Sequence, residues 1–282
     1  MTGVNSWPAP AKLNLFLHVT GRRLDGYHLL QTVFQFIDIA DELRFEINDS
    51  GRIARVSDLE GVTPEQDLVV RAARLLQQET GCGAGVDISL IKRLPMGGGL
   101  GGGSSDAATT LLALNALWQT GVPRSRLMQL GLQLGADVPV FIGGSSAWAE
   151  GVGDRLEPLS LERPWFVILQ PDATVSTGEI FGHPELTRNS PAITIRDFRE
   201  GRVRNDLEPV VRALYPQIDQ ALNWLSQYGE ARMTGTGACV FLPCSTREQA
   251  EAVVSNQPPA KAIVARGLNR HPIEPILAAW PE

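Results

Sequence analysis

The chain has 282 residues, 43% of them hydrophobic, and its 25 Lys and Arg against 31 Asp and Glu leave a net charge of −6. An acidic balance excludes a general nucleic-acid binder, which carries a basic surface. No run reaches the roughly 18 apolar residues that span a bilayer. The length suits two domains of about 140 residues each, a common domain size, and the change of texture after Gly143-Gly144 puts their boundary near residue 150. The expected division is therefore 1–150 and 151–282.

In chain order, Lys12 to Val19 alternates, with Leu13, Leu15, Leu17 and Val19 on one face and Lys12, Asn14, Phe16 and His18 on the other. Period two predicts a strand with one buried face. Asp25-Gly26 is turn chemistry, and Thr32 to Ile39 reads as a second strand. Leu43–Ile47 and Arg52–Val56 flank Asp49-Ser50-Gly51, which predicts a hairpin. Asp67 to Glu79 has helical spacing and Gly81 ends it, and a strand-like run (Val86, Ile88, Leu90) follows. Helices are expected from about Ser105 to Trp118 and from Arg124 to Leu134, the second stopped by Gly135-Ala136-Asp137-Val138-Pro139. Beyond residue 150 come short strands, helical patterns between Leu207 and Tyr228, and a strand from Met233 to Leu242 that contains Gly235-Thr236-Gly237. A helix near Glu248–Val254 and a strand at Ala262–Ala265 close the chain. Strands and helices mix without strict βαβ alternation, so the fold class is α+β.

The most informative segment is Pro95-Met96-Gly97-Gly98-Gly99-Leu100-Gly101-Gly102-Gly103-Ser104-Ser105. Glycine lets main-chain N–H groups converge on an anion, and the helix that follows adds unpaired N–H groups and the positive end of its dipole. The loop therefore reads as a phosphate cradle. A flexible linker would not sit between a strand-like run and a tightly apolar helix. It is not the ordinary P-loop, because Gly103 rather than a lysine precedes Ser104. The dinucleotide fingerprint fits poorly too, since Asn115 to Val122 holds no acid. The protein-kinase catalytic-loop motif is missing.

Two charged residues invite chemistry. Lys12 starts a strand, where lysine is ordinarily a solvated edge charge. Asp137 sits in a small-residue turn, which such residues ordinarily shape. A desolvated Asp137 would need a cationic partner, and Lys12 is a candidate. His18 has no assigned role, and His28 either packs or reads a base edge. Gly235-Thr236-Gly237 forms a bulge or admits close backbone approach. Cys82, Cys239 and Cys244 have neither metal-ligand spacing nor an even disulfide count. A reduced, cytoplasmic protein is expected, and the segment Met1–Ala11 lacks the pattern of a secretory signal.

Five segments occur in one order: Trp7-Pro-Ala-Pro-Ala-Lys12-Leu-Asn14-Leu, Asp25-Gly26-Tyr27-His28-Leu-Leu-Gln31-Thr32, Pro95 to Ser105, Gly135-Ala-Asp137-Val-Pro139 and Thr234-Gly-Thr-Gly-Ala-Cys239. Together they resemble the galactokinase, homoserine kinase, mevalonate kinase and phosphomevalonate kinase (GHMP kinase) superfamily. The Lys12 and Tyr27-His28 segments resemble its branch acting on CDP-methylerythritol. The resemblance spans about residues 7 to 268. It implies a two-domain α+β enzyme with an N-terminal nucleotide-binding domain and its active site in the interdomain cleft. ATP with Mg²⁺ would phosphorylate the 2-hydroxyl of 4-(cytidine 5'-diphospho)-2-C-methyl-D-erythritol, a step toward isoprenoid precursors.

Position by position, the resemblance makes Lys12 and Asp137 the catalytic pair and Pro95 to Ser105 the ATP-phosphate loop. It gives Tyr27 and His28 to the cytosine, with Phe181 stacking on its other face. Asn14 and Thr177 become polar contacts to the substrate. Asp137 would accept the proton of the acceptor hydroxyl, while Lys12 stabilises that carboxylate's charge and polarises the hydroxyl. Ser104 or Ser105 could offer Mg²⁺ one oxygen, and the other metal ligands are unassigned. Small-molecule substrates are the only partners implied, for a monomer or weak homodimer with neither nucleic acid nor membrane. One departure stands out: Met96-Gly97-Gly98 replaces the Val-Ala-Ala of many relatives, and the added glycine is expected to loosen the loop.

Overall fold

The computed structural model describes residues 6–59 and 61–280, so residues 1–5 of the segment Met1–Ala11 lie outside it. Two long strands, β1 (Trp7–Arg22) and β2 (His28–Asn48), form an antiparallel ribbon across the Asp25-Gly26 turn. Gly26 has φ of 90°, a conformation that favours glycine at such a turn. The separate strands expected at Thr32–Ile39 and Leu43–Ile47 are parts of β2. The register shifts between Pro10 and Ala11, Asn14 and Leu17, and Val19 and Gly21. Irregular pairing of this kind lets a long strand bend across the molecule.

The one-buried-face reading of β1 is corrected, because both of its faces are buried. The edge of β1 away from β2 is covered as well. Lys12 N–H donates to Leu100 O at 2.9 Å, and Leu17 N–H donates to Arg204 O at 3.0 Å. A strand closed on both faces and both edges leaves its polar residues no solvent, so they must find partners inside.

After the short β3 (Ile53–Arg55), helix α1 (Leu68–Thr80) opens with the Asp67 side chain accepting from the Val69 N–H and closes at Gly81, φ 66°. Strand β4 (Gly85–Ile91) then pairs antiparallel with β2, and β3 pairs parallel with β4. The hairpin expected around Asp49-Ser50-Gly51 therefore does not exist, since β4 takes the place beside β2. Local turn chemistry could not reveal an insertion that arrives thirty residues later.

Helix α2 (Gly102–Leu117) is buried along most of its length. It is flanked by α1, by α3 (Arg124–Leu134) and by α4 (Val138–Gly143). Strands β5 (Ala147–Glu150) and β6 (Arg155–Pro158) join the other end of β2. The remaining elements are β7 (Trp165–Gln170), α5 (Thr177–Gly182), α6 (Ile195–Arg199), α7 (Glu208–Leu214) and α8 (Pro216–Leu225). They are followed by β8 (Arg232–Met233), β9 (Val240–Cys244), α9 (Arg247–Val254), β10 (Lys261–Leu268) and α10 (Glu274–Leu277).

The sheet runs β3-β4-β2-β10-β7-β9-β8, antiparallel throughout except for β3 and β4, so the α+β class stands. One apolar cluster gathers Trp7, Phe36, Leu76, Leu111 and Phe141, and a second gathers Leu169, Ile180, Leu207, Ile218 and Val240. Segments cross over: Leu17 and Val19 of β1 belong to the second cluster, while Ile273 returns to the first. The expected strand Met233–Leu242 is two strands, β8 and β9, split by the loop 234–239. Gly235 and Gly237 in that loop have φ of 57° and 87°, which a strand cannot contain.

Candidate active site

A cleft of about 650 Å³ is lined by β1, β2, the glycine loop, the Ala136-Asp137 turn and the loop 234–239. The glycine loop packs at Gly98 and Gly99 against the loop 234–239. Cys239 N–H donates to Gly98 O at 3.1 Å, and a Cβ on Gly98 would lie 2.8 Å from Cys239 Sγ. Gly99 has φ of 73°, and a Cβ there would come within 2.5 Å of Thr234 O. Of the two added glycines, Gly98 is packed against Cys239, whereas a Cβ on Gly97 would meet nothing within 4 Å. Asn205 holds that neighbour in turn, its Nδ2 donating to Met233 O at 3.0 Å and Gly235 O at 2.8 Å.

Helix α2 begins at Gly102, three residues earlier than expected, so the amides of Gly102, Gly103 and Ser104 head the helix without an intrahelical acceptor. These amides and Leu100, Gly101 and Ser104 border the cleft, as do Pro95, Met96 and Gly97. Ser105 does not. Its N–H is bonded to Gly101 O, and its fully buried hydroxyl has no partner. The earlier helix start turns Ser105 inward and leaves Ser104 at the opening. A Cβ on Gly135 would lie 3.7 Å from Ser104 Oγ, so that hydroxyl spans the gap between the loop and the Asp137 turn.

Lys12 and Asp137 meet. Lys12 Nζ lies 3.2 Å from Asp137 Oδ2, and Lys12 is 2% exposed against 34% for the aspartate. The ammonium also donates to Asn14 Oδ1 at 2.5 Å and to Gly99 O at 2.9 Å. Lys12 is therefore no snorkelling edge charge. Three oxygens from three parts of the chain hold it at the foot of the glycine loop. Asn14 is clamped as well: its Nδ2 donates to Thr32 Oγ1 at 3.0 Å and its N–H to Thr234 Oγ1 at 2.9 Å. Asp137 heads α4 without a side-chain cap bond, so one carboxylate oxygen is spare for a ligand.

A second hollow of about 510 Å³ shares Leu30, Ala136, Val152, Thr177 and Phe181 with the cleft. Tyr27, 65% exposed, stands on its rim. His28 packs against Phe181, ring centroids 4.9 Å apart at 32°. The half-buried His28 is held below the ordinary imidazole range, first by desolvation, then by Arg188 and Arg22. Thr177 Oγ1 lies 3.2 Å from Thr236 Oγ1, joining α5 to the loop 234–239.

The sequence reading missed a buried cluster behind the loop. Lys92 donates to Asp106 Oδ2 at 2.8 Å and to Asp41, and Asp41 Oδ1 accepts the Leu94 N–H at 2.8 Å. Burial pushes the Asp106 carboxyl up to about 7, with Lys92 opposing and Asp41 reinforcing. The three residues are far apart in sequence, and nothing in their local patterns joins them. Among the described residues no three His, Cys, Asp or Glu side chains converge on a metal ion. Mg²⁺ needs no such cage, because it commonly takes one or two protein oxygens plus substrate phosphates. The Ser104 hydroxyl between the phosphate loop and Asp137 fits that donor set.

Residues 67–145 match the family model for the GHMP kinases N terminal domain, and residues 188–256 match that for the GHMP kinases C terminal. The chain is 58% identical over 269 residues to the 4-diphosphocytidyl-2-C-methyl-D-erythritol kinase of Thiobacillus denitrificans, covering 95% of this chain and 97% of that one. The chain belongs to the 4-diphosphocytidyl-2-C-methyl-D-erythritol kinase family. The family protein of Nitrosococcus oceani is likewise 58% identical, with 93% and 94% covered. A crystal structure of a 4-(cytidine 5'-diphospho)-2C-methyl-D-erythritol kinase superposes with a TM-score of 0.77 at 35% identity, covering 93% of this chain and 98% of that one. The mevalonate kinase of Methanococcus jannaschii shares the fold, with a TM-score of 0.70 at 14% identity, covering 95% and 100%.

Proposed function

We propose that the 650 Å³ cleft is the phosphoryl-transfer site, with Lys12 and Asp137 as its catalytic pair. The chain is an ATP-dependent kinase of the 2-hydroxyl of 4-(cytidine 5'-diphospho)-2-C-methyl-D-erythritol in the non-mevalonate route to isoprenoid precursors. The Lys12–Asp137 contact carries the site assignment, because it lies where the glycine loop and the second hollow open onto one space.

Phosphoryl transfer asks the protein for in-line positioning and charge neutralisation more than for covalent chemistry. The α2 amides and the glycine loop hold the β-phosphate. Tyr27, His28 and Phe181 hold the cytosine, and Asn14 and Thr177 contact the rest of the acceptor. Asp137 Oδ takes the proton of the acceptor hydroxyl as that oxygen bonds the γ-phosphorus and the bond from the γ-phosphorus to the β–γ bridging oxygen breaks, releasing ADP. Lys12 stabilises the carboxylate it touches and the developing charge on the hydroxyl oxygen. Mg²⁺, held by Ser104 and the ATP phosphates, would supply neutralisation of phosphate charge.

In this reading residues 1–150 bind the nucleotide and 151–282 form the second domain, apart from the Leu17, Val19 and Ile273 crossovers between their apolar clusters. The enzyme acts in the cytoplasm as a monomer or weak homodimer, without nucleic-acid or membrane partners. The acidic charge balance supports the lack of a nucleic-acid partner, and no described helix is long and apolar enough to cross a membrane. A substrate panel tests the assignment. ATP-dependent phosphorylation of the cytidine-linked acceptor, with little turnover of free methylerythritol phosphate, homoserine or mevalonate, is the expected result. Equal turnover with and without the cytidine group would refute it.

A further inference from the structure

Arg188, beyond α5, stands behind the second hollow and reaches two of its lining residues, His28 and Phe181. Its Nε donates to His28 Nε2 at 3.2 Å, its Nη1 to Leu186 O at 3.1 Å, and its Nη2 to Phe181 O at 2.9 Å and His183 O at 2.7 Å. One guanidinium thus joins the two walls of that hollow, His28 from β2 and Phe181 from α5. A guanidinium has five donors and no acceptor. The nitrogen that faces it must present a lone pair, so His28 Nε2 is unprotonated. A neutral ring then carries its proton on Nδ1, and no hydrogen bond among the described residues uses that atom.

We infer that Arg188 is a positioning residue that fixes His28 as the Nδ1–H tautomer, so that the hollow offers a donor and selects a base with an acceptor edge. The inference rests on the reading of this hollow as the base site. Cytosine presents unprotonated N3 and O2, both acceptors. Uracil carries a proton on N3, which would meet the Nδ1–H donor to donor. Desolvation, Arg188 and Arg22 all disfavour the imidazolium, in that order, which keeps the single-donor form in place. Arg188 also anchors the carbonyl of Phe181, so the stacking ring and the donor are set by one group. A site that hydrogen-bonds its ligand rejects an analogue that leaves the pairing unmet.

The test uses the full-length enzyme and three variants. Nitrogen NMR of labelled histidine, with His28 assigned through His28→Ala, is expected to show a protonated Nδ1 and a bare Nε2 in the wild type. Arg188→Met should mix the tautomers and raise the KM for the cytidine substrate about tenfold, the scale of one charged hydrogen bond. It should also narrow the kcat/KM preference for the cytidine compound over its uridine counterpart by about tenfold, while the KM for ATP holds. Arg188→Lys, which keeps the charge but not the fork, should behave the same way. A wild-type His28 protonated on Nε2 overturns the inference whether or not the variants fold. So does an unchanged cytidine preference in either folded Arg188 variant. If His28→Ala leaves the cytidine KM unchanged, the base-site reading itself fails. If His28→Ala raises that KM and the Arg188 variants do not, only the role of Arg188 fails.

Discussion

Asp137→Asn tests the assigned base directly, with folding measured beside it. The Asp137 side chain is one-third exposed, makes no cap bond to α4, and has Lys12 as its one ion-pair partner among the described residues. Lys12 is 2% exposed, so neutralising its carboxylate partner removes the counter-charge of a buried ammonium, which costs up to about 3–5 kcal/mol. Asparagine keeps the shape and one oxygen for Lys12, which retains Asn14 Oδ1 and Gly99 O. Stability should therefore fall by less than the about 3–5 kcal/mol of a fully broken buried pair, because those oxygens still hold the ammonium. Loss of a general base costs about 10²–10⁴ in kcat. At 1.36 kcal/mol per decade that is about 3–5 kcal/mol of transition-state stabilisation. The two effects are of similar order, so kcat is read on protein shown to be folded at the assay temperature. Coupled ADP release at saturating ATP and acceptor, beside thermal unfolding of the same sample, measures both. Turnover within about tenfold of wild type in a folded variant would fall outside the general-base scale and refute the assigned role.

Gly99→Ala forces a Cβ to within 2.5 Å of Thr234 O at a φ of 73°, so the loop must move. The KM for ATP should rise tenfold or more, at about 1.4 kcal/mol per decade, and unchanged nucleotide affinity by calorimetry would contradict the cradle. Tyr27→Ala removes an exposed ring from the rim of the second hollow. It should raise the KM for the cytidine substrate and leave that for ATP unchanged, and equal effects on both would move the base site elsewhere. His271, fully buried against Phe36 and Phe141, is pushed down to about 3, chiefly by desolvation with Arg124 adding to it. Because its folded value lies below the unfolded one, the unfolded chain binds the extra proton, and stability falls as pH drops from about 6.5 toward 3. Urea midpoints against pH should show this limb, with His18 and His28, both also lowered, adding to it. The limb should flatten in His271→Gln, and an unchanged slope would mean that other groups carry it.

Local patterns carried a good deal. The α1 cap at Asp67, the stop at Gly81 and the span Arg124–Leu134 follow from residues adjacent in sequence, because capping and helical spacing are decided within a turn or two. The glycine loop leading into a helix was legible for the same reason. Patterns failed where a neighbour arrives from far along the chain. The hairpin at Asp49-Ser50-Gly51 was displaced by β4, and Met233–Leu242 was split by glycines that must bend toward the phosphate loop.

The sequence by itself determined that the chain holds a glycine-rich loop ahead of an apolar helix, in an acidic α+β protein. It also supplied the motifs that identify the family. Only the tertiary structure decided that Lys12 is a buried cation with three oxygen partners rather than a solvated edge charge. Only it brought Lys92 between Asp41 and Asp106, and Arg188 onto His28. A local pattern fixes where a backbone bends. Whether a charge keeps its water depends on which distant segments close over it, and here those segments are the loops at 97–101, 137 and 188.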